Sequence, residues 1–221
     1  MGLTKETYEE ALIFFTDKDP IIHKLLIKKG YVAPPPPRNL FANLIGSIIG
    51  QKVRYTVARN QRGKLYTELG TDNFTIDDML NRSILQLQEN GMMEFTIDDV
   101  LDKGLSYLKE MGIDESRYQT ICRVICHIKD NDINLDHISQ LDDLKQIKGI
   151  GEWTINCTKI MHYLNSDDQS FDDCLLHQDL IIRRGINKLY GITDIGQIEK
   201  LSQSWSPWRS LVTWYLWKEF S

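Results

Sequence analysis

The stretch Leu144-Lys-Gln-Ile-Lys-Gly-Ile-Gly-Glu-Trp-Thr154 decides how the rest of the chain is read. Gly149, Ile150 and Gly151 place two glycines around one apolar residue. Before them Leu141, Leu144 and Ile147 recur at helical spacing, and after them Trp153, Cys157, Ile160 or Met161, and Leu164 do the same. The spacing predicts two helices joined by a tight turn. Gly149 can take positive φ after the first helix, and Gly151 leaves no side chain over the amides that open the second. Those N–H groups sit at the positive end of a helix dipole, where a phosphate is favoured. An ordinary corner with glycine stops would read the same from these residues alone, so the choice rests on what lies downstream.

At 221 residues the chain has room for one large domain or two small ones sharing a cleft. Its 42% hydrophobic and 26% charged residues are those of a soluble globular protein. The formal net charge of -5 weighs against a nucleic-acid binder, because neutralising phosphates takes Lys and Arg, although a local basic face can serve on an acidic chain. No window approaches a membrane span, the first residues lack a signal-peptide pattern, and Glu6 breaks the myristoylation pattern at Gly2. The expectation is an intracellular protein, cytoplasmic or nuclear, with no membrane partner. Cys122 and Cys126 lie one helical turn apart beside His127, but they continue the apolar stripe of Ile121, Val124, Ile125 and Ile128 and read as core. With Cys157 and Cys174 they form no C-x-x-C pair and no iron–sulfur cluster motif.

Outward from the turn, every segment reads as helix or connector. Residues 5–29 carry two apolar stripes separated by Asp19-Pro20, an N-cap followed by proline at the first helical position. Ala33-Pro-Pro-Pro-Pro37 is a stiff connector and a domain boundary. Residues 39–66 read as helix, with the polar pair Gln51-Lys52 inside an apolar pattern. Thr75-x-x-Asp78 and Thr96-x-x-Asp99 are cap patterns. Asp179 is placed to cap the helix Leu180–Tyr190, whose Ile182, Ile186 and Leu189 share a face. Ser206-Pro207 is expected to open a last helix containing Trp208, Leu211, Val212, Trp214, Tyr215 and Trp217, apolar nearly all round and hence buried. Period-two alternation is missing throughout. The expected fold is all-α, two helical subdomains flanking a cleft: residues 1–33 packing with 161–221, beside a helical barrel from 38 to 160 that ends in the glycine turn.

Gly149-Ile-Gly-x-Trp-Thr154, a downstream Asp opening a helix, and Trp205-Ser-Pro-Trp-Arg-Ser210 together resemble the helix-hairpin-helix DNA glycosylases, specifically the 3-methyladenine DNA glycosylase II branch. Lys18-Asp-Pro20, Ile49-Gly-Gln51 and Leu108-x-x-Met-Gly112 agree in order, so the resemblance runs from about residue 18 to 217. It implies a monofunctional glycosylase of base excision repair, acting as a monomer on double-stranded DNA that contains damaged bases. The substrates it implies are alkylated purines, 3-methyladenine first and 7-methylguanine second. The catalytic carboxylate maps onto Asp179, with Asp172 and Asp173 as competitors; beside C1′ a fixed anion would stabilise the cationic sugar and orient water. Lyase members carry a nucleophilic lysine where this chain has Trp153, and an indole cannot form a Schiff base.

The flipped base would meet Trp153, Trp217, Trp205 and Cys157, ring faces suiting a cationic purine. Cys157 stands where an aromatic residue is common, which implies a roomier pocket. Gly149, Ile150, Gly151, Thr154, Gln51 and Lys52 would contact DNA. Lys52 occupies the position of an apolar wedge in a better-known relative, so Gln51 or Tyr55 is a substitute. Relatives also hold a monovalent cation on hairpin main-chain carbonyls, here those of Lys145, Ile147 and Gly149; no other cofactor is implied. Residues 165–174 read as an insertion, and the family's N-terminal sheet domain has no counterpart. Two further readings stay open: a glycosylase for oxidised or deaminated bases, and a catalytically silent DNA-binding module.

Overall fold

The computed structural model describes residues 2–133, 135–165 and 173–221. Among these the chain is helical and has no strand. The helices are α1 (Lys5–Lys18), α2 (Pro20–Lys29), α3 (Leu40–Ile49), α4 (Tyr55–Leu69), α5 (Ile76–Glu89), α6 (Ile97–Asp102), α7 (Tyr107–Glu110), α8 (Glu115–Asp130), α9 (Glu152–Tyr163), α10 (Leu180–Tyr190), α11 (Ile195–Gln203) and α12 (Arg209–Phe220). Gly104–Ser106 and Ile138–Gln146 are 3-10 helices. The chain divides into two compact units, Met1–Pro37 with Lys159–Ser221, and Arg38–Thr158. No described helix is long and apolar enough to cross a membrane.

The first unit is tied together at Asp19, which is 6% exposed. One carboxyl oxygen accepts the amides of Ile21 and Ile22, capping α2, and the other accepts the Tyr190 hydroxyl and the Trp205 indole N–H, both at 2.7 Å. Burial, then the hydrogen bond to Asp19, pushes the Tyr190 phenol well above its ordinary pKa, so it donates throughout the physiological range. Gly185 lets α10 approach α12, since a Cβ there would stand 2.6 Å from the Phe220 ring. The Tyr215 hydroxyl donates to the Gly30 carbonyl and accepts the Val32 amide, which fixes the segment leading to the prolines.

The second unit is built round α3, buried from Leu40 to Ile49 and packed on α4 and α8. Both threonine patterns close capping boxes, Thr75 with Asp78 on α5 and Thr96 with Asp99 on α6.

Three expected elements differ. The helix expected over 39–66 is split, because the buried Arg117 guanidinium takes the Ile49 carbonyl at 2.6 Å, the oxygen a continuing helix would offer to Val53. The chain turns through Gly50–Arg54, with Lys52 at φ 55°, before α4 begins. Leu141, Leu144 and Ile147 lie on a 3-10 segment and its C-cap, as a spacing of three permits, because side chains at i and i+3 eclipse there. The last helix begins at Arg209, beyond Ser206-Pro207; the side chain that meets its first amide is Asp173, 2.7 Å from the Arg209 nitrogen.

Replacing Asp19 with alanine removes a cap, strands the buried Trp205 indole N–H and takes the partner of the partly buried Tyr190 hydroxyl, so unfolding free energy should drop by about 2–4 kcal/mol in urea titration. A loss under about 0.5 kcal/mol would show that the carboxyl is dispensable.

Candidate functional site

The turn between the 3-10 segment and α9 is shaped by a steric constraint. Gly149 has φ 102°, and a Cβ on it would stand 2.3 Å from the Thr120 hydroxyl oxygen and 2.9 Å from its methyl. Any side chain would collide with α8. The Ile150 amide closes the turn on the Ile147 carbonyl at 2.9 Å, with Ile150 buried beneath it. Gly151 differs: a Cβ there would meet nothing within 4 Å, and the residue is exposed at the start of α9. The Thr154 and Ile155 amides both bond to the Gly151 carbonyl, at 3.0 and 3.1 Å, which opens α9.

Gln51 braces this turn from the side. Its amide nitrogen donates to the Gly149 carbonyl at 2.9 Å and to the Thr154 hydroxyl at 2.8 Å, one partner on each side of Gly151. Gln51 is itself held through the preceding backbone. Arg117, 4% exposed, binds the Ile49 carbonyl, the Gln61 side-chain oxygen and the Asp114 carboxylate, and Gln61 reaches on to the Gly112 carbonyl. Arg123 donates to the Lys148 carbonyl at 3.0 Å, adding positive charge beside the turn. The structure thus brings together Gln51, Gly149 and Thr154. Lys52 stands exposed next to them, without an ion-pair partner among the described residues.

In the first unit Asp179 caps α10. One carboxyl oxygen accepts the amides of Ile181 and Ile182 at 2.9 and 3.1 Å, which fixes a partly exposed acid at the positive end of the helix. The two oxygens of Asp173 accept the Arg209 amide and Nε, so its charge is met by a guanidinium. Asp172 and most of the expected insertion, residues 166–172, lie outside the described residues.

The expected pocket residues are not alike. Trp217 on α12 and Trp153 on α9 are partly exposed, and Cys157 is nearly buried. Trp205 exposes none of its surface and gives its N–H to Asp19, so it is a core residue of the first unit and no base can reach it. Among the described residues no group of His, Cys, Asp and Glu is arranged to hold a metal.

Arg117, Thr120 and Arg123 were missed in the sequence, and Asp173, a competitor for the catalytic carboxylate there, is engaged by Arg209. Arg117 gave one signal, a cation four residues before Ile121 and so on the apolar stripe of α8. Thr120 and Arg123 depend on contacts with Gly149 and Lys148, 25 residues or more along the chain, which no local pattern shows.

No family model matches the chain. DNA-3-methyladenine glycosylase 1 of Schizosaccharomyces pombe is 38% identical over 81 residues, 35% of this chain and 33% of that protein. The matched region thus spans about a third of the relative. The crystal structure of a DNA-3-methyladenine glycosidase from Bacillus halodurans superposes with a TM-score of 0.61 at 20% identity, over 96% of this chain and 89% of the other. At that coverage nearly the whole of this chain has the all-helical fold of that glycosidase.

Proposed function

We propose that this protein is a monofunctional DNA glycosylase that flips alkylated purines out of duplex DNA and hydrolyses their N-glycosidic bonds, 3-methyladenine before 7-methylguanine, in base excision repair. The observation that carries this is Asp179, an acid held rigidly by two backbone amides at a helix N-terminus with part of its surface open. The names of the two similar proteins support the substrate class.

The glycosidic bond breaks with positive charge building on the sugar, and a carboxylate already fixed in place stabilises that charge without reorganising. The same oxygen pair can orient or deprotonate the attacking water. An alkylated purine is cationic and leaves with little help from an acid. Trp153, in the position of the lyase lysine, offers no amine, so the product is an abasic site. Binding rests on the turn at Gly149–Gly151, where the first amides of α9 meet a phosphate of any sequence. A monovalent cation on the Lys145, Ile147 and Gly149 carbonyls belongs to the same proposal. The Ile147 and Gly149 oxygens each already accept one hydrogen bond, and a carbonyl oxygen has a second lone pair for an ion.

Asp179→Asn keeps the cap, since asparagine caps helices as well as aspartate does. It should lower release of free base from methylated duplex by about 10³-fold or more with DNA affinity nearly unchanged, as read by chromatography of the bases and by titration. Release at the wild-type rate would remove Asp179 from the reaction.

The two glycines should separate. Gly149→Ala should cost about 2 kcal/mol or more of stability, from its φ and from the collision with Thr120. Gly151→Glu should change stability by under about 1 kcal/mol yet weaken binding to all duplexes alike by about tenfold, a carboxylate having been set against the phosphate site. Unchanged binding by Gly151→Glu would place the DNA elsewhere.

A further inference from the structure

On this acidic chain of 26 Lys and Arg against 31 Asp and Glu, residues Arg38 to Thr67 contain six cations and no acid. Two of the six have structural partners: Arg38 pairs with Asp72, and Arg62 donates to the Gly46 carbonyl. The other four, Lys52, Arg54, Arg59 and Lys64, are exposed and have no ion pair or side-chain hydrogen bond among the described residues. Elsewhere in the same unit Lys103, Lys109, Lys129 and Lys145 are each paired with a carboxylate.

These cations continue into an ordered surface. Thr56, Arg59, Asn60, Gly63, Lys64 and Thr67 fall at i, i+3, i+4, i+7, i+8 and i+11, one stripe along α4 opposite its buried Ala58, Gln61 and Leu65, and they form one wall of an open groove of about 780 Å³. Apart from Gly63, every residue of the stripe has a side chain that donates hydrogen bonds. A Cβ on Gly63 would meet nothing within 4 Å, so the backbone at the middle of the stripe can be closely approached. The stripe stops at Glu68, and Glu110 also lines the groove.

Its position relative to the glycine turn is fixed by Gln51. That residue lies four positions before α4 and bonds to Gly149 and Thr154, so the loop that leads into α4 touches the glycine turn and the first turn of α9. Arg54, the N-cap of α4, makes no side-chain cap bond, and the first turn of the helix contains no acid. From the glycine turn the chain at Gln51 therefore leads through Lys52 and Arg54 directly into the α4 stripe of Arg59 and Lys64.

We infer that this face of α4 is a second contact for the DNA backbone, continuing from the glycine turn past Lys52 and Arg54 to Arg59 and Lys64. The inference rests on the DNA reading above and adds a direction and length to it. From Thr56 to Thr67 the stripe spans about 16 Å. At 3.4 Å per base pair that is about five base pairs of duplex beyond the turn.

The test measures binding of undamaged duplexes of increasing length at several salt concentrations. It compares wild type, Arg59→Gln/Lys64→Gln, and a charge-matched control, Lys103→Gln/Lys129→Gln. On long duplex the α4 variant should bind about tenfold more weakly, and its log K against log salt slope should be shallower by about 2, while the control matches wild type. When the duplex is trimmed on one side by about five base pairs, the α4 variant and wild type should become equal. An unchanged slope, a loss independent of duplex length, or an equal loss in the control would each overturn the inference. If wild type binds no duplex at all, the DNA reading fails and takes this inference with it; base release from methylated duplex by wild type separates that outcome from failure of the α4 contact alone.

Discussion

The constraint on which the second unit depends is the absence of a side chain at Gly149. Thr120 occupies the space that any Cβ would need, so the turn into α9 is pressed against α8 and can adopt one shape. Around it lies a chain of polar restraints. Arg117 ends α3 by taking the Ile49 carbonyl, and the turn that follows presents Gln51, which grips the backbone before Gly151 and the side chain after it. The result is a helix start whose amides are aimed rather than loose, and preorganisation of this kind lowers the entropy lost when a phosphate is bound.

Asp19 has the corresponding role in the first unit. Four donors from three parts of the chain converge on one nearly buried carboxyl, so α2, the end of α10 and the segment before α12 are positioned by a single residue. Lys18-Asp-Pro20 is legible in the sequence as an N-cap, and that much is present. The long-range half of its role, holding Tyr190 and Trp205, is not legible, because nothing in a local pattern shows which buried carboxyl two distant aromatic donors will find.

That difference accounts for most of what could and could not be read in advance. Elements governed by neighbours within four residues were legible: the caps at Thr75, Thr96 and Asp179, the positive φ of Gly149, the buried stripe of α12. Elements governed by a remote partner were not. The break after Ile49 needs Arg117, the start of α12 meets Asp173, and Trp205 belongs to the core because Asp19 lies beside its indole. The 3-10 segment was written in the spacing of Leu141, Leu144 and Ile147, which fits a three-residue turn as well as a helical one. The bonds from Gln51 to the turn were likewise not legible, because their partners lie about a hundred residues along the chain.

The proposed chemistry asks little of the protein beyond fixed charge. Amides at one helix start attract a phosphate, amides at another hold a carboxylate, and the leaving base brings its own positive charge. In the proposal water is the nucleophile, because the indole of Trp153 has no amine to attack the sugar. The most direct test is incubation with methylated duplex DNA in the presence of borohydride, following free base and protein–DNA adduct together. The account predicts release of methylated purine, an intact strand bearing an abasic site, and no adduct. A trapped covalent complex, or a failure to release any methylated base, would contradict it.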